Sequence, residues 1–457
     1  MSIGLSASGA EVKRPRDPAA GLIFPAIEPW IPASLDDALE RYQPAPRRWD
    51  ILSPLRLLRL ALLHASRPHV SLQEILREVW QTWSQAGCVL GAMPSSSALA
   101  QARARLPFWA LRTLLIHTAA MAGQAGTGAH WPFHRLLSID GTPLVLPNTP
   151  ANRTYFGTTR HQHGEAYFPQ AVAVWVSQVH PQIVVAEYLG TSHQGDESIA
   201  PLLLPTVVRP GDLVLGDAHF GHYATLWTVS IAGAFYLVRA PGPLHLHKHI
   251  TIRHSPVEAE IRLELSAYVR QKHSGPALPE RIELRALNYT IPSRDIPNGA
   301  EQAWFLTNLP RESFSYAALA ALPPLRWNHE TLNNDLKSRL GLGELRSLSP
   351  DGAHSEVLAH LCLANIVRLI LWQLRPETPL RGSFTAALSA LRQANQQLRM
   401  APQRHSQIIA TMCQMILDQP LTPRPQRTEP RMTRPRRRPY PIFKTTRTEW
   451  RRKRKVG

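Results

Sequence analysis

Residues 135–240 alternate strand-like and helix-like segments in a fixed order. Five short apolar runs are typical of strands: RLLSID, AVAVWVSQV, QIVVAEYLG, DLVLGD and AFYLVRA. The first three runs follow one another, and the turn residues HPQ between the second and third indicate a hairpin. Helical segments, DESIAPLLLPTVV and HYATLWTVSIAG, precede the fourth and fifth runs. The order predicts an α/β fold on a mixed five-stranded sheet.

Two of these runs end on a carboxylate, Asp140 after the first and Asp217 after the fourth. A Gly-Thr-Pro sequence follows Asp140, so we expect this residue at a strand tip, on a turn. If the first and fourth strands are neighbours, the two carboxylates lie side by side and raise each other's pKa. A divalent cation bound by the carboxylate oxygens usually offsets the repulsion between two such groups. The alternative is that each Asp caps a turn or a helix.

The segment RWNHETLNNDLKSRLG predicts a helix that carries a third acid. At about 100° per residue, four polar side chains fall within a narrow arc: Arg326, Glu330, Asn333 and Lys337. An apolar stripe runs beside them: Leu325, Leu332, Leu336 and Leu340. We therefore expect the helix to pack on a core and to present an acid between two bases. The alternative is an ordinary Arg-Glu pair on a solvated helix, which contributes a few tenths of a kcal/mol.

Pattern and composition divide the chain into six segments. In order, they are a loose N-terminal segment (1–34), a helical domain (35–125), the first part of the α/β core (126–239), a β-rich insertion (240–320), the completion of the core with C-terminal helices (321–418) and a basic tail (419–457). The insertion is predicted from strand-like runs such as RIELRALNYTI and from its few helix signals.

The formal net charge of +18 is concentrated at the C-terminal end. From Leu421 onward there are 14 Lys and Arg residues against two acids. A tail so rich in Pro and Arg is predicted to be disordered alone and to contact a polyanion, with nucleic acid favoured. The alternative is a generic solubilising tail. Six basic residues are taken as DNA-binding candidates: Arg436, Arg437, Arg438, Arg451, Arg452 and Lys453.

Two further features bear on the compartment. No stretch reaches the roughly 18 to 20 uninterrupted apolar residues that a membrane span needs. The three cysteines are widely spaced and make neither a disulfide framework nor a zinc site. We therefore expect a cytoplasmic, nucleoid-associated protein with no membrane partner.

Three motifs together resemble the DDE transposases of bacterial insertion sequences, of the insertion-sequence-four type. They are IDGTPLVLPNTPANRTYFG, GDLVLGDAHFGHY and the Arg-x3-Glu-x6-Lys spacing of Arg326, Glu330 and Lys337. The resemblance covers about residues 136–345. It implies a ribonuclease H-like catalytic core interrupted by a β-rich insertion, with an all-helical DNA-binding domain before it.

The resemblance also implies a site and an activity. Asp140, Asp217 and Glu330 would be catalytic and would hold Mg²⁺ or Mn²⁺, as two ions, while Arg326 and Lys337 would contact DNA near the cleaved phosphate. Asn333 lies on the same polar edge and is predicted to bind DNA. The partners would be double-stranded transposon ends and target DNA, bound by a homodimer. The reaction would be metal-dependent strand cleavage and transfer in cut-and-paste transposition.

Two positions depart from the family pattern. The family carries a Tyr three residues before the Arg of the last motif, where this chain has Pro323. After the second acid the family often has an Arg, where this chain has Ala218. These departures keep open the alternative of a catalytically decayed, transposase-derived DNA-binding protein.

Overall fold

The fold is a mixed α/β arrangement of one large sheet and many helices. The computed structural model describes residues 17–42, 50–88, 91–123, 132–161, 164–272, 277–292 and 300–421. Apart from Pro292, Ala300 and Glu301, which lie at strand ends, the described residues form one compact body. The six DNA-binding candidates of the tail lie outside the described residues.

The strands of the described residues fall into one large sheet and one short pair. They are β1 (Leu136–Val145), β2 (Arg160–His161), β3 (Gly164–Glu165), β4 (Gln170–Gln178), β5 (Ile183–Thr191), β6 (Leu213–Gly216), β7 (Phe235–Arg239), β8 (Ile250–Ser255), β9 (Glu258–Glu264), β10 (Arg281–Pro292) and β11 (Ala300–Thr307). Strands β2 and β3 pair with each other, and the others form one sheet in the order β5-β4-β1-β6-β7-β11-β10-β9-β8.

The five strands predicted from residues 135–240 lie side by side in this sheet. Strand β4 is antiparallel to both β1 and β5, whereas β1, β6 and β7 run parallel. The expected hairpin joins β4 to β5. Strand β11 pairs with β7, so the four strands of the β-rich segment extend the same sheet.

The helices of the described residues begin at α1 (Pro18–Gly21). They continue with α2 (Ala33–Arg41), α3 (Pro54–Ser66), α4 (Leu72–Gln85), α5 (Ser96–Arg103), α6 (Phe108–Gly123), α7 (Pro150–Phe156), α8 (Asp196–Leu203), α9 (Tyr223–Ile231), α10 (Ala267–Lys272), α11 (Tyr316–Leu319), α12 (Trp327–Asn334), α13 (Pro350–Leu374), α14 (Phe384–Met400) and α15 (His405–Leu417). Serine side chains cap the first turns of α3, α4, α5, α13 and α14, which satisfies backbone N–H groups there.

The sheet is covered on both faces. One hydrophobic cluster joins the N-terminal helices to α13, α14 and α15 and to one face of β1, β4 and β5; Leu58, Trp175 and Leu363 belong to it. A second cluster, which includes Ile199 and Leu226, covers the opposite face with α8 and α9. The N-terminal helices therefore share a core with the C-terminal helices, although the sequence placed the two groups in separate segments.

Helix α13 is the one described helix long and apolar enough to cross a membrane, and most of it is buried inside the protein. Two of its polar side chains are bonded there. Asn365 bonds both backbone groups of Val184 on β5, each at 2.8 Å. Arg368 forms a buried ion pair with Asp335. Because its contacts lie within the protein body, α13 acts as a core helix.

Candidate active site

Asp140 and Asp217 lie on neighbouring strands, which is the condition under which the sequence placed them side by side. Strands β1 and β6 run parallel with Ser138 opposite Leu215. Two residues further along each chain, this register brings Asp140 level with Asp217. Both residues are half-buried, and they are close enough for the charge of Asp217 to raise the pKa of Asp140. The parallel strands β1 and β6 thus bring two carboxylates together.

The prediction that Asp140 sits at a strand tip is wrong. Strand β1 continues through the Gly-Thr-Pro sequence to Val145, and β4 pairs with it as far as Val145 opposite Gln170. The parallel pairing with β6 reaches only Ser138. Pro143 is accommodated because it needs to donate no hydrogen bond to β6 on that side. The pairing with β4 therefore overrides the local turn signal.

The pKa of Asp140 is raised to about 6. Burial is the largest cause, and the charges of Asp217 and Asp196 add to it. The positive charge of Arg326 and a hydrogen bond from the Gly141 N–H to Oδ1, 2.9 Å long, act in the opposite direction. A carboxylate held in this way favours the approach of a cation.

Asp217 caps the short 3₁₀ turn that follows β6. Its Oδ1 accepts a hydrogen bond from the backbone N–H of His219 at 2.9 Å, and Nδ1 of the same histidine lies 3.4 Å from its other oxygen. Burial disfavours the charged imidazole, but the hydrogen bond and the negative charges of Asp217, Asp196 and Glu197 raise the pKa of His219. Asp217 therefore does cap a turn, and capping leaves this carboxylate 29% exposed and available for a further partner.

Asp196 is a neighbouring acid that the sequence analysis missed. It is the first residue of α8, and a Cβ placed on Gly141 would lie only 2.3 Å from its Oδ1. Burial raises the pKa of Asp196, with further contributions from Asp217 and Glu197. An acid in the first turn of a helix is common because it complements the helix dipole. Because this explanation accounts for Asp196 locally, the sequence offers no reason to place it near the Asp140–Asp217 pair.

Helix α12 carries the third predicted acid, Glu330, beside strand β1. Arg326 donates a hydrogen bond of 2.9 Å to Glu330 one turn later, which is the ordinary pairing foreseen as the alternative. Among the described residues, no three side chains of His, Cys, Asp or Glu are gathered as a ready metal site. The structure therefore does not assemble the three-acid cluster around Asp140 and Asp217.

The other members of the predicted polar edge face Asp140. Asn333 Nδ2 donates to Oδ2 of Asp140 at 2.9 Å, and Asn333 Oδ1 accepts from Trp175 Nε1 at 2.9 Å. Burial lowers the pKa of Lys337, whereas the charge of Asp140 raises it. Both ends of the Asn333 amide are thus bonded within the protein, although the sequence assigned this residue to DNA.

Packing beneath the polar edge holds it in place. The predicted apolar stripe is borne out at Leu332, Leu336 and Leu340, which are fully buried. The chain leaves α12 through a π-helical turn, Asp335–Arg339, and then returns to β1, where the Leu345 N–H donates to Val145 O at 2.9 Å. The segment that follows the turn is therefore tied to the same strand that carries Asp140.

The donor chemistry of this site suits a hard divalent cation. Asp140 and Asp217 supply carboxylate oxygens, which Mg²⁺ and Mn²⁺ prefer. Their mutual repulsion disfavours two charged groups at this edge, and a bound cation would relieve it. The residues present therefore fit a metal at the Asp140–Asp217 pair, although the third ligand is not in place.

A family model and two known proteins, all transposases, match this chain. A family model described as "Transposase DDE domain" matches residues 131–366. Transposase InsG for insertion sequence element IS4, from Escherichia coli (strain K12), is 25% identical to this chain, covering 76% of this chain and 78% of that protein. The cryo-EM structure of a piggyBac transposase synaptic complex with hairpin DNA aligns at 11% identity with a TM-score of 0.41, over 87% of this chain and 84% of that chain.

Proposed function

This chain belongs to the DDE transposases of the insertion-sequence-four type, and on that premise we propose that it binds transposon ends and catalyses metal-dependent DNA cleavage and transfer. The observation that carries the proposal is the Asp140–Asp217 pair on the parallel strands β1 and β6. The matched family segment, 131–366, contains both residues and all of α12. The five adjacent strands β5-β4-β1-β6-β7 support a ribonuclease H-like core.

Asp140 and Asp217 would hold the cation, and Glu330 would complete the site from α12. Asn333 contacts Asp140 directly, and residues three apart on a helix lie on one face, about 5–6 Å between Cβ atoms. Glu330 therefore lies one helical turn before a residue that contacts Asp140. It would become a ligand by exchanging Arg326 for the cation, since its side chain is 40% exposed.

Asp140, Asp217 and Glu330 would hold Mg²⁺ or Mn²⁺, as two ions, and the chemistry supplied there would be activation of a water or a DNA 3′-hydroxyl and stabilisation of the leaving oxygen. The protein's own residues position and neutralise the phosphate. Once released by Glu330, Arg326 would donate to the phosphate oxygens, and Lys337 would add a second positive charge at the same edge. The positive charge of Arg326 lowers the pKa of Asp140, and the charge of Asp140 raises the pKa of Lys337. Their proximity to this carboxylate supports the proposal that both residues contact the scissile phosphate.

The rest of the chain would bind and arrange DNA. We assign the helical segment 35–125 to recognition of transposon ends and the basic tail 419–457 to phosphate contacts on end or target DNA. Joining two ends needs two active sites, so we expect a homodimer on DNA. The family is one of bacterial insertion sequences, and the protein would act on the nucleoid in the cytoplasm.

The test is nicking of a labelled duplex that carries the end sequence of the encoding element. Asp217→Asn should abolish Mg²⁺-dependent nicking and leave duplex binding intact, because the amide removes a charged ligand without changing shape. Asp418→Asn is the matched control, since Asp418 is exposed and lies at the end of α15, away from the site. Binding without nicking by the wild-type protein under every metal would contradict the proposal and favour a decayed, binding-only transposase.

A further inference from the structure

We propose that Trp175 and Asn333 form a hydrogen-bond relay that fixes the orientation of the Asp140 carboxylate for its ligand. Both would be positioning residues, because they act on the reaction only through Asp140. The inference rests on the proposed function, in which Asp140 holds a divalent cation. It assigns to Asn333 a role other than the DNA contact expected from the sequence.

The relay joins three elements that are distant in sequence. Trp175 is fully buried on β4, directly opposite Asp140 in the β1–β4 pairing. Its indole Nε1 donates to Asn333 Oδ1 on α12 at 2.9 Å, and Asn333 Nδ2 donates to Asp140 Oδ2 at 2.9 Å. A side chain on β4 thus acts on a carboxylate of the adjacent strand β1 through a residue of α12.

The chemistry of the indole determines which way the amide points. A side-chain amide can present either its oxygen or its nitrogen, and the two orientations have nearly the same shape. The indole N–H is a donor only, so the Asn333 oxygen must face Trp175. The amide nitrogen is then left to donate to Asp140. Without the indole, the amide could turn and present its oxygen to the carboxylate, where the two acceptors would repel.

The relay restrains Asp140 without neutralising it. Oδ2 accepts from Asn333 and Oδ1 accepts from the Gly141 N–H, each at 2.9 Å. Each carboxylate oxygen has room for a second partner, so both remain available to a cation. Both donors are uncharged, and the negative charge that attracts the cation is retained. Glu330, by contrast, has the charged Arg326 as a partner.

The relay also sets the position of Glu330. Asn333 follows Glu330 by three residues on α12, and its two hydrogen bonds tie the helix to β1 and β4 at that point. The relay is therefore expected to affect both the orientation of Asp140 and the approach of Glu330. Polar groups that orient metal ligands are typically worth about 10- to 100-fold in metal affinity or activity.

The test measures Mn²⁺ affinity by electron paramagnetic resonance on the full-length protein without DNA, together with single-turnover nicking of the end duplex. Trp175→Phe removes the indole donor and keeps a buried ring, and Asn333→Leu removes both amide functions at similar volume. We expect Mn²⁺ affinity to fall about 10-fold or more in each, with the nicking rate reduced and the Kd for duplex DNA unchanged. The double variant should be no weaker than Asn333→Leu alone, because both changes break one relay.

Two matched controls separate the relay from general damage. Trp83 is also fully buried and also donates from Nε1, to Ala19 O at 2.7 Å, but it lies on α4. Trp83→Phe therefore costs a comparable buried hydrogen bond without touching the site. Asn334→Ala is the control for a change on the same helix. Asn334 is the exposed neighbour of Asn333, and its own oxygen accepts a hydrogen bond from Ser338.

The outcomes distinguish this inference from the proposed function. Mn²⁺ affinity and nicking in Trp175→Phe equal to those in Trp83→Phe would overturn the relay while the proposed function stands. A fall in duplex affinity with Mn²⁺ affinity unchanged in Asn333→Leu would also overturn it, and would return Asn333 to DNA contact. A wild-type protein that binds no Mn²⁺ and cuts no DNA would overturn both.

Discussion

Arg326 Nη2 lies 2.9 Å from Oε1 of Glu330. The acid of α12 is therefore paired with a guanidinium and is not gathered with Asp140 and Asp217 among the described residues. The same guanidinium lowers the pKa of Asp140 on β1. Arg326 thus links the two parts of the site electrostatically, although it makes an ion pair with only one of them. The site is consequently sensitive to changes on either element.

Replacing Arg326 by Gln is expected to raise the pKa of Asp140 further, because the positive charge that lowers it is lost. We expect nicking to fall about 100-fold, since a donor to the reacting phosphate is lost as well. Carboxyl NMR titration of Asp140 and single-turnover nicking measure the two effects. Arg339→Gln is the control, because Arg339 acts on Asp335 instead. A pKa of Asp140 equal in the two variants would contradict the account.

Replacing Asp140 by Asn is expected to stabilise the metal-free protein above pH 6 but not below pH 4. The pKa of Asp140 is about 6 in the folded protein against an ordinary 3.8, so between these values the folded state holds a proton that the unfolded chain has lost. The wild-type free energy of unfolding therefore falls as pH rises through this window and stays lower above it. The Asp140→Asn variant has no proton to lose at this position, so it avoids this loss. The gain should reach about 1–3 kcal/mol.

Urea unfolding in EDTA at about pH 4 and about pH 8 measures this gain. Asp418→Asn, which removes a carboxylate at an exposed site, is the control. A gain for Asp140→Asn that is the same at both pH values would show that burial and neighbouring charge do not act on this carboxylate.

A divalent cation is expected to stabilise the wild-type protein without any DNA. A cation that binds only the folded state adds about 2.7 kcal/mol when present at about 100 times its Kd. Melting with Mg²⁺ or Ca²⁺ should therefore occur several degrees above melting in EDTA, and Asp217→Asn should lose most of this increase. An undiminished increase in Asp217→Asn would place the cation elsewhere.

Removal of residues 422–457 is expected to weaken duplex binding and to flatten its dependence on salt. Each phosphate contact contributes about 0.9 to the slope of log affinity against log salt, so loss of several contacts should reduce the slope by about 3–6. The measurement is duplex affinity across a salt series. A neutral tail of equal length is the control for chain length, and an unchanged slope would identify the tail as a solubilising segment.

The sequence was informative where apolar pattern and chain order decide the structure. The five core strands and the hairpin between β4 and β5 follow from that pattern, because apolar runs bounded by turn residues are typical of buried strands. The sequence left the adjacency of Asp140 and Asp217 conditional on β1 and β6 being neighbours, and the structure meets that condition. The leucine stripe that runs from α12 into the π-helical turn after it was predictable for the same reason as the strands. Its polar edge was also found, and it does face Asp140.

Other features of the site depend on contacts between distant residues. The pairing of β1 with β4 carries the strand past Asp140, which no local turn signal reveals. Trp175 is 158 residues from Asn333 in sequence, and a buried Trp on a strand is usually explained by packing alone. Asp196 has a sufficient local explanation as a helix-start acid. Only the folded chain brings Trp175, Asn333 and Asp196 close to Asp140 and Asp217.

The most direct test of the central claim is cleavage of the labelled end duplex by the wild-type protein and by Glu330→Gln, with Mg²⁺, with Ca²⁺ and with EDTA. Glu344→Gln serves as control, because Glu344 is an exposed glutamate beyond the π-helical turn. The account predicts Mg²⁺-dependent cleavage in the wild type and in the control, and cleavage below about 1% of that rate in Glu330→Gln with duplex binding retained. Cleavage by Glu330→Gln at the wild-type rate would contradict it and would remove Glu330 from the site.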